Sequence, residues 1–155
     1  MNNLRTIGVI DIGTNTTRLL VRSENEPKID LSRKVEITRL GADLESTGSL
    51  GRKGIEDTSR AAKDFVQEAQ DLGSQLEDIY IFATAASRNA QNGDEFIENL
   101  RKELGCSTEI ISGEQEGNFA FAGAISGLSN VDVPCVVFDI GGGSTEFAVS
   151  SNSNF

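Results

Sequence analysis

Two stretches of this chain repeat one plan: an apolar strand ending in Asp-Ile-Gly, a short turn rich in glycine and hydroxyl residues, and a second apolar strand. The fuller copy is Val136-Val137-Phe138-Asp139-Ile140-Gly141-Gly142-Gly143-Ser144-Thr145-Glu146-Phe147-Ala148-Val149. The other is Ile7-Gly8-Val9-Ile10-Asp11-Ile12-Gly13-Thr14-Asn15-Thr16-Thr17-Arg18-Leu19-Leu20-Val21. Glycine lets backbone approach a ligand closely, and unobstructed N–H groups with Ser and Thr hydroxyls can surround phosphate oxygens. A carboxylate beside such a loop repels a bare phosphate, so Asp11 and Asp139 are expected to face a divalent cation or a water on one. One such loop alone reads as an ordinary hairpin turn; two with the same core predict a paired phosphate clamp.

Composition narrows the chemistry by exclusion. The 155 residues include no histidine, which removes Ser-His-Asp and Cys-His catalysis and every His-ligated metal site. Carboxylates and oxygen-ligated cations are left to carry any reaction. A net charge of −10 opposes binding to a nucleic-acid polymer or an anionic membrane, while a few arginines in a cleft still permit phosphate substrates. Hydrophobic residues at 37% and charged residues at 25% fit a soluble globular protein with a real core. Cys106 and Cys135 match no metal-ligand spacing and are expected as buried, reduced thiols. The sequence has neither a signal-peptide pattern nor a bilayer-length apolar run, so a cytoplasmic location is expected.

Strands are expected at 6–12, 17–23 and 34–40, then a loop from Gly41 to Gly54. A helix from Ile55 to Leu72 carries Ile55, Ala62, Phe65, Val66, Ala69 and Leu72 on one stripe. A buried strand at 78–83 leads into a short helical turn that Thr84 would cap. The helix at 94–104 turns Phe96, Ile97, Leu100 and Leu104 inward and stops at Gly105. A strand follows at 108–111, then a helix to about Ser126 whose small residues predict close packing on the sheet. A linker at 127–133 precedes the last two strands, and the polar tail at 151–155 is expected to fray. The order βββαβαβα, then ββ, predicts an α/β layer structure with parallel pairing. The final hairpin reads as the opening of a second such unit. We therefore expect a domain at 1–127, a linker and opening hairpin at 128–155, and a truncated chain.

Asp11-Ile12-Gly13-Thr14-Asn15-Thr16-Thr17-Arg18 and Asp139-Ile140-Gly141-Gly142-Gly143-Ser144-Thr145-Glu146 resemble the two phosphate loops of the Ppx/GppA family of exopolyphosphatases and guanosine pentaphosphate phosphohydrolases. Thr38-Arg39-Leu40-Gly41-Ala42-Asp43-Leu44, Ala83-Thr84-Ala85-Ala86-Ser87-Arg88 and Ile111-Ser112-Gly113-Glu114-Gln115-Glu116-Gly117 resemble that family's intermediate motifs. The resemblance implies a ribonuclease H-like domain of the actin-like ATPase type. It also implies Mg²⁺- or Mn²⁺-dependent release of terminal orthophosphate from inorganic polyphosphate or guanosine pentaphosphate. Glu116 would be the general base and Arg88 the arginine across the cleft. Asp11, Asp139 and Glu146 would surround the metal and the attacking water. Gly13, Thr14, Asn15, Thr16, Gly141, Gly142, Gly143, Ser144 and Thr145 would cradle phosphate, with Arg18 and Arg39 as further contacts. Gly117 stands where the family usually has alanine, and Thr17 where the first loop often has a bulkier residue.

Taken singly, these residues have plainer explanations: Glu116 as an acid stabilising a helix dipole, Arg88 as a surface residue, and Arg18 as the partner of a nearby carboxylate. Three functional classes therefore stand side by side. They are a phosphoanhydride hydrolase, an ATP-using kinase or ATPase, and a non-catalytic phosphate-binding or assembly module whose last hairpin offers edges for a homodimer. A piece of this length alone is expected to turn over little or no substrate.

Overall fold

Alternation in the first strand sets the layering. The computed structural model describes residues 5–24, 28–128, 132 and 134–150, so the 151–155 tail and most of the linker lie outside the described residues. In β1 (Thr6–Ile12), Thr6, Gly8, Ile10 and Ile12 are buried, while Ile7, Val9 and Asp11 are half-buried on the opposite face. β1 pairs antiparallel with β2 (Thr16–Ser23), which pairs antiparallel with β3 (Asp30–Ile37). On its other side β1 runs parallel to β4 (Ile79–Ala83), which is followed by parallel β5 (Ser107–Ile110). The five-stranded order β3-β2-β1-β4-β5 is the expected ribonuclease H-like α/β arrangement. A separate two-stranded sheet holds β6 (Cys135–Ile140) and β7 (Thr145–Ser150).

Besides α1 (Leu44–Thr47), a single turn, the chain forms α2 (Arg52–Asp71), α3 (Ala85–Asn89), α4 (Gly93–Leu104) and α5 (Gly113–Ile125). The core lies under α2 and α4, where Phe65, Ala69, Phe96 and Leu100 meet Ile10, Ile12, Ile79 and Ile81. The expected Gly105 stop is present: its N–H donates to Arg101 O at 2.9 Å and its φ is +72°, a value that suits glycine.

Several boundaries differ from expectation for identifiable reasons. β3 ends at Ile37, not Leu40, because the N–H groups of Thr38 and Arg39 turn away to donate to Asn15 O at 3.1 and 3.0 Å. The expected 41–54 loop contains α1, and α2 starts at Arg52. Leu72 follows the last turn of α2 and is 36% exposed, so it leaves the apolar stripe. Thr84 does not cap α3; its hydroxyl donates to Ile12 O at 3.4 Å across to β1. The small residues of α5 do not bury it against the five-stranded sheet, which it meets through Phe119 on Phe82, ring centroids 5.4 Å apart. Among its residues only Gly117 is buried, and the helix packs against β6 and β7. Cys106 is buried and Cys135 half-buried, both as free thiols.

Thr17, unusual for its place, is fully buried with its hydroxyl 3.0 Å from that of Thr38, so the small polar residue helps hold the turn after β3. Thr58 is different. It is fully buried in α2 and its hydroxyl has no hydrogen-bond partner in the protein. An unmade buried hydrogen bond costs about 1–3 kcal/mol. Thr58→Val is therefore expected to raise stability by roughly 1 kcal/mol, read as a higher urea midpoint; a lower midpoint would show that the hydroxyl has a stabilising partner.

Candidate active site

The two hairpins are built alike at the atomic level. Gly13 N donates to Thr16 O at 2.9 Å, and Gly141 N donates to Ser144 O at the same distance. Asp11 lies opposite Arg18 in the first register, and Asp139 lies opposite Glu146 in the second. The loops meet at a cleft of about 250 Å³ lined by Asp11, Gly13 to Thr16, Arg18, Thr84, Ala85, Glu116 and Asp139 to Ser144. A wider apolar hollow of about 550 Å³ adjoins it, with Tyr80, Phe82 and Phe119 in its wall. Thr84 and Ala85 line the cleft although sequence reasoning gave them no site role. Their signal in the sequence is the Ala83–Arg88 stretch, which resembles one of the intermediate motifs.

One end of the cleft is strongly acidic. Carboxylate oxygens of Glu116, Asp139 and Glu146 lie within 4.8 Å of one another. Glu116 reaches this point from the first turn of α5, which is held by a capping box: Gln115 N donates to Ser112 Oγ at 3.1 Å, and Ser112 N donates to Gln115 Oε1 at 2.9 Å. Glu114, on the same turn, is exposed. Arg88 Nη1 donates to Ile111 O at 2.8 Å and to Glu116 Oε2 at 3.0 Å, with the side chains 25% and 15% exposed. Arg88 thus stands behind Glu116. Burial pushes the Glu116 carboxyl above its ordinary value, Arg88 opposes the shift, and the charges of Glu146 and Asp139 add to it. Glu146 Oε2 is buried without a hydrogen-bond partner in the protein. A buried, unpartnered carboxylate oxygen beside two more carboxylates is a donor set that fits a hard divalent cation.

Asp11 also lines the cleft but is not one of these three. Its carboxylate lies 4.0 Å from Arg18 Nη1, with the side chains 43% and 61% exposed respectively. Loss of solvent around the carboxyl pushes its pKa up to about 6; Arg18 opposes this, and Glu116 and Asp139 reinforce it. Arg39 is not brought into the cleft: it lines a separate hollow with Asp43, Lys53 and Asp57. Thr145 is exposed and does not line the cleft. Gly117 faces β7, where an added methyl would lie 3.7 Å from Glu146 Cβ, an ordinary contact, so the site accepts glycine or alanine there.

Similarity to known proteins identifies the family. Residues 9–155 match the model of the Ppx/GppA phosphatase family. The chain belongs to that family. It is 36% identical over 149 residues to a bifunctional 3-dehydroquinate synthase/phosphatase of Fusobacterium nucleatum, covering 92% of this chain and 22% of that one. It is 31% identical to exopolyphosphatase 2 of Mycobacterium tuberculosis, covering 96% of this chain and 49% of that one. The crystal structure of the Aquifex aeolicus Ppx/GppA family member superposes with a TM-score of 0.83 at 30% identity, covering 96% of this chain and 48% of that one. The chain therefore spans about half the length of the last two. No helix among the described residues is long and apolar enough to cross a membrane.

The raised Asp11 pKa has a defined sign. An acid with a folded pKa near 6 against 3.8 unfolded binds more protons when folded, so its contribution is present below about pH 4 and is lost as pH rises through about 6. Asp11→Asn is expected to remove part of the fall in stability across that interval. The effect is roughly 1 kcal/mol once the solvent still reaching the side chain is allowed for. Urea midpoints at pH 4 and pH 7 measure it, and an unchanged pH slope in the variant would contradict the assignment.

Proposed function

We propose that the protein is a divalent-cation-dependent phosphoanhydride hydrolase that releases orthophosphate from the end of polyphosphate, with guanosine pentaphosphate as a second substrate of the same chemistry. The observation that carries this reading is the convergence of Glu116, Asp139 and Glu146 at the edge of a cleft walled by two phosphate-type loops. The Thr14 and Asn15 carbonyls are bonded to the turn after β3, which leaves the loop face toward the cleft to N–H and hydroxyl donors. Asp139 and Glu146 would hold Mg²⁺ or Mn²⁺, which neutralises charge on the phosphoryl group being transferred.

The chain's own groups supply the rest. The Gly13–Thr16 and Gly141–Ser144 loops bind the terminal phosphate oxygens, and Arg18 adds positive charge at the entrance. Glu116, made more basic by burial, takes the proton of the attacking water as the water oxygen bonds to the terminal phosphorus. The bond from that phosphorus to the bridging oxygen breaks, and the bridging oxygen leaves with the shortened chain. Arg88, fixed by the Ile111 carbonyl, holds the Glu116 carboxylate in place. The β6–β7 hairpin would open a second lobe of the same design. Its outward face, with Phe138 60% and Phe147 65% exposed, supports that reading.

Phosphate release from polyphosphate and from guanosine pentaphosphate tests the proposal. In the whole protein, Glu116→Gln is expected to lower turnover by at least about 100-fold while substrate affinity changes little. Full turnover in the variant would remove Glu116 from the reaction, and no release from either substrate by the unsubstituted protein would overturn the hydrolase reading.

A further inference from the structure

The two phosphate loops touch, and they do so in a reciprocal way. The second residue of the first loop, Thr14, meets the third residue of the second loop, Gly143; the third residue of the first, Asn15, meets the second residue of the other, Gly142. A Cβ on Gly143 would overlap Thr14 Oγ1, and one on Gly142 would overlap Asn15 Nδ2. Asn15 Nδ2 is the end of a rotatable side chain and can give way. Rotating the Thr14 side chain does not relieve the contact, because a Cβ on Gly143 would also lie 3.3 Å from Thr14 Cβ itself, so the backbone would have to shift.

Thr14 is held from behind as well. A Cβ on Gly41 would lie 2.5 Å from Thr14 Cγ2 and 3.4 Å from Ala86 Cβ, and Gly41 N donates to Thr14 O at 2.9 Å. Gly41 follows Arg39, whose φ of +50° is the one positive value at a non-glycine residue among the described residues. Such a conformation costs of order 1–3 kcal/mol unless surrounding contacts hold it. Here they do: the Arg39 and Thr38 N–H groups share Asn15 O, and Leu40 is fully buried. The branched Thr14 side chain is thus wedged, with its methyl on Gly41 and its hydroxyl on Gly143.

We propose that Thr14 is a positioning wedge that transmits the placement of the 38–41 turn to the second phosphate loop, with Gly41 as its backstop and Gly143 as its seat. This rests on the reading of the two loops as a phosphate clamp. The clamp's width is then set by a turn that lines no part of the cleft, through one side chain. An added methyl at Gly41 overlaps the Thr14 methyl, with Ala86 Cβ also in contact, and is expected to drive Thr14 toward Gly143.

The test uses this 155-residue chain, with tripolyphosphate and Mg²⁺ as the probe and the backbone amide resonances of Gly142 and Gly143 as a second readout. Gly41→Ala is expected to shift those two amides and to weaken tripolyphosphate binding about tenfold. Adding Thr14→Ser to Gly41→Ala removes the methyl that the new Cβ strikes and keeps the hydroxyl. The double variant is expected to restore both the amide positions and the affinity to within about threefold. Thr14→Gly, which creates no overlap, is expected to shift the same amides, and in that background Gly41→Ala adds no further shift. The proposal is overturned if Gly41→Ala leaves the Gly142 and Gly143 amides in place. It is equally overturned if Thr14→Ser fails to rescue a folded Gly41→Ala chain, or if Gly41→Ala still moves those amides in the Thr14→Gly background. Absence of tripolyphosphate binding by the unsubstituted chain would instead count against the clamp reading itself, while the amide shifts continue to decide the wedge.

Discussion

The candidate site depends on where the carbonyl groups of the Gly13–Thr16 loop point. A tight turn has as many acceptors as donors, and an anion accepts only donors. Thr38, Arg39 and Gly41 solve this by donating three backbone N–H groups to the Asn15 and Thr14 carbonyls. The turn that does so leaves the β ladder at Ile37, adopts a left-handed conformation at Arg39 and buries Leu40. The buried Thr17–Thr38 hydroxyl pair ties the root of that turn to β2. A segment that lines no part of the cleft therefore determines which polarity the loop presents to it.

The second constraint is a difference in sign between two copies of one hairpin. The residue across from the strand-end aspartate is Arg18 in the first and Glu146 in the second. Arg18 offsets the charge of Asp11, whereas Glu146 doubles that of Asp139 and, with Glu116, concentrates it at one point. A backbone repeat close to two-fold thus yields an electrostatic site that is not symmetric. Under the proposed hydrolysis, the Arg18 side would take the phosphate chain, and the side with Glu116, Asp139 and Glu146 would take the cation and the reacting water. This polarity gives an in-line reaction a direction.

Much of this was legible in the sequence because it is written in local pattern. The alternation in 6–12, the helical stripe around Phe65 and Ala69, the Gly105 stop and the paired Asp-Ile-Gly turns all follow from spacing and residue type. What was not legible depends on distant partners. Thr84 resembles a helix cap until Ile12 is known to lie beside it. The strand that includes Lys34 looks able to run on to Leu40 until the first loop claims the Thr38 and Arg39 N–H groups. The small residues of α5 indicated close packing but could not say against what. Of the proposed metal carboxylates, Asp139 and Glu146 converge with Glu116, while Asp11 faces Arg18. Sequence spacing between separate elements carries no information on that choice.

The reciprocal contact between the loops limits how such a molecule could have arisen. Thr14 and Asn15 sit against Gly143 and Gly142, at positions where a Cβ would overlap them. Two identical copies bearing Thr-Asn in both loops would collide before the cleft could close to this width. Two all-glycine copies would meet without a wedge and leave the gap undefined. If the hairpins descend from one duplicated ancestor, the glycine at position 143, which faces the Thr14 Cβ, is the steric mark of their divergence, since Asn15 can turn away from position 142.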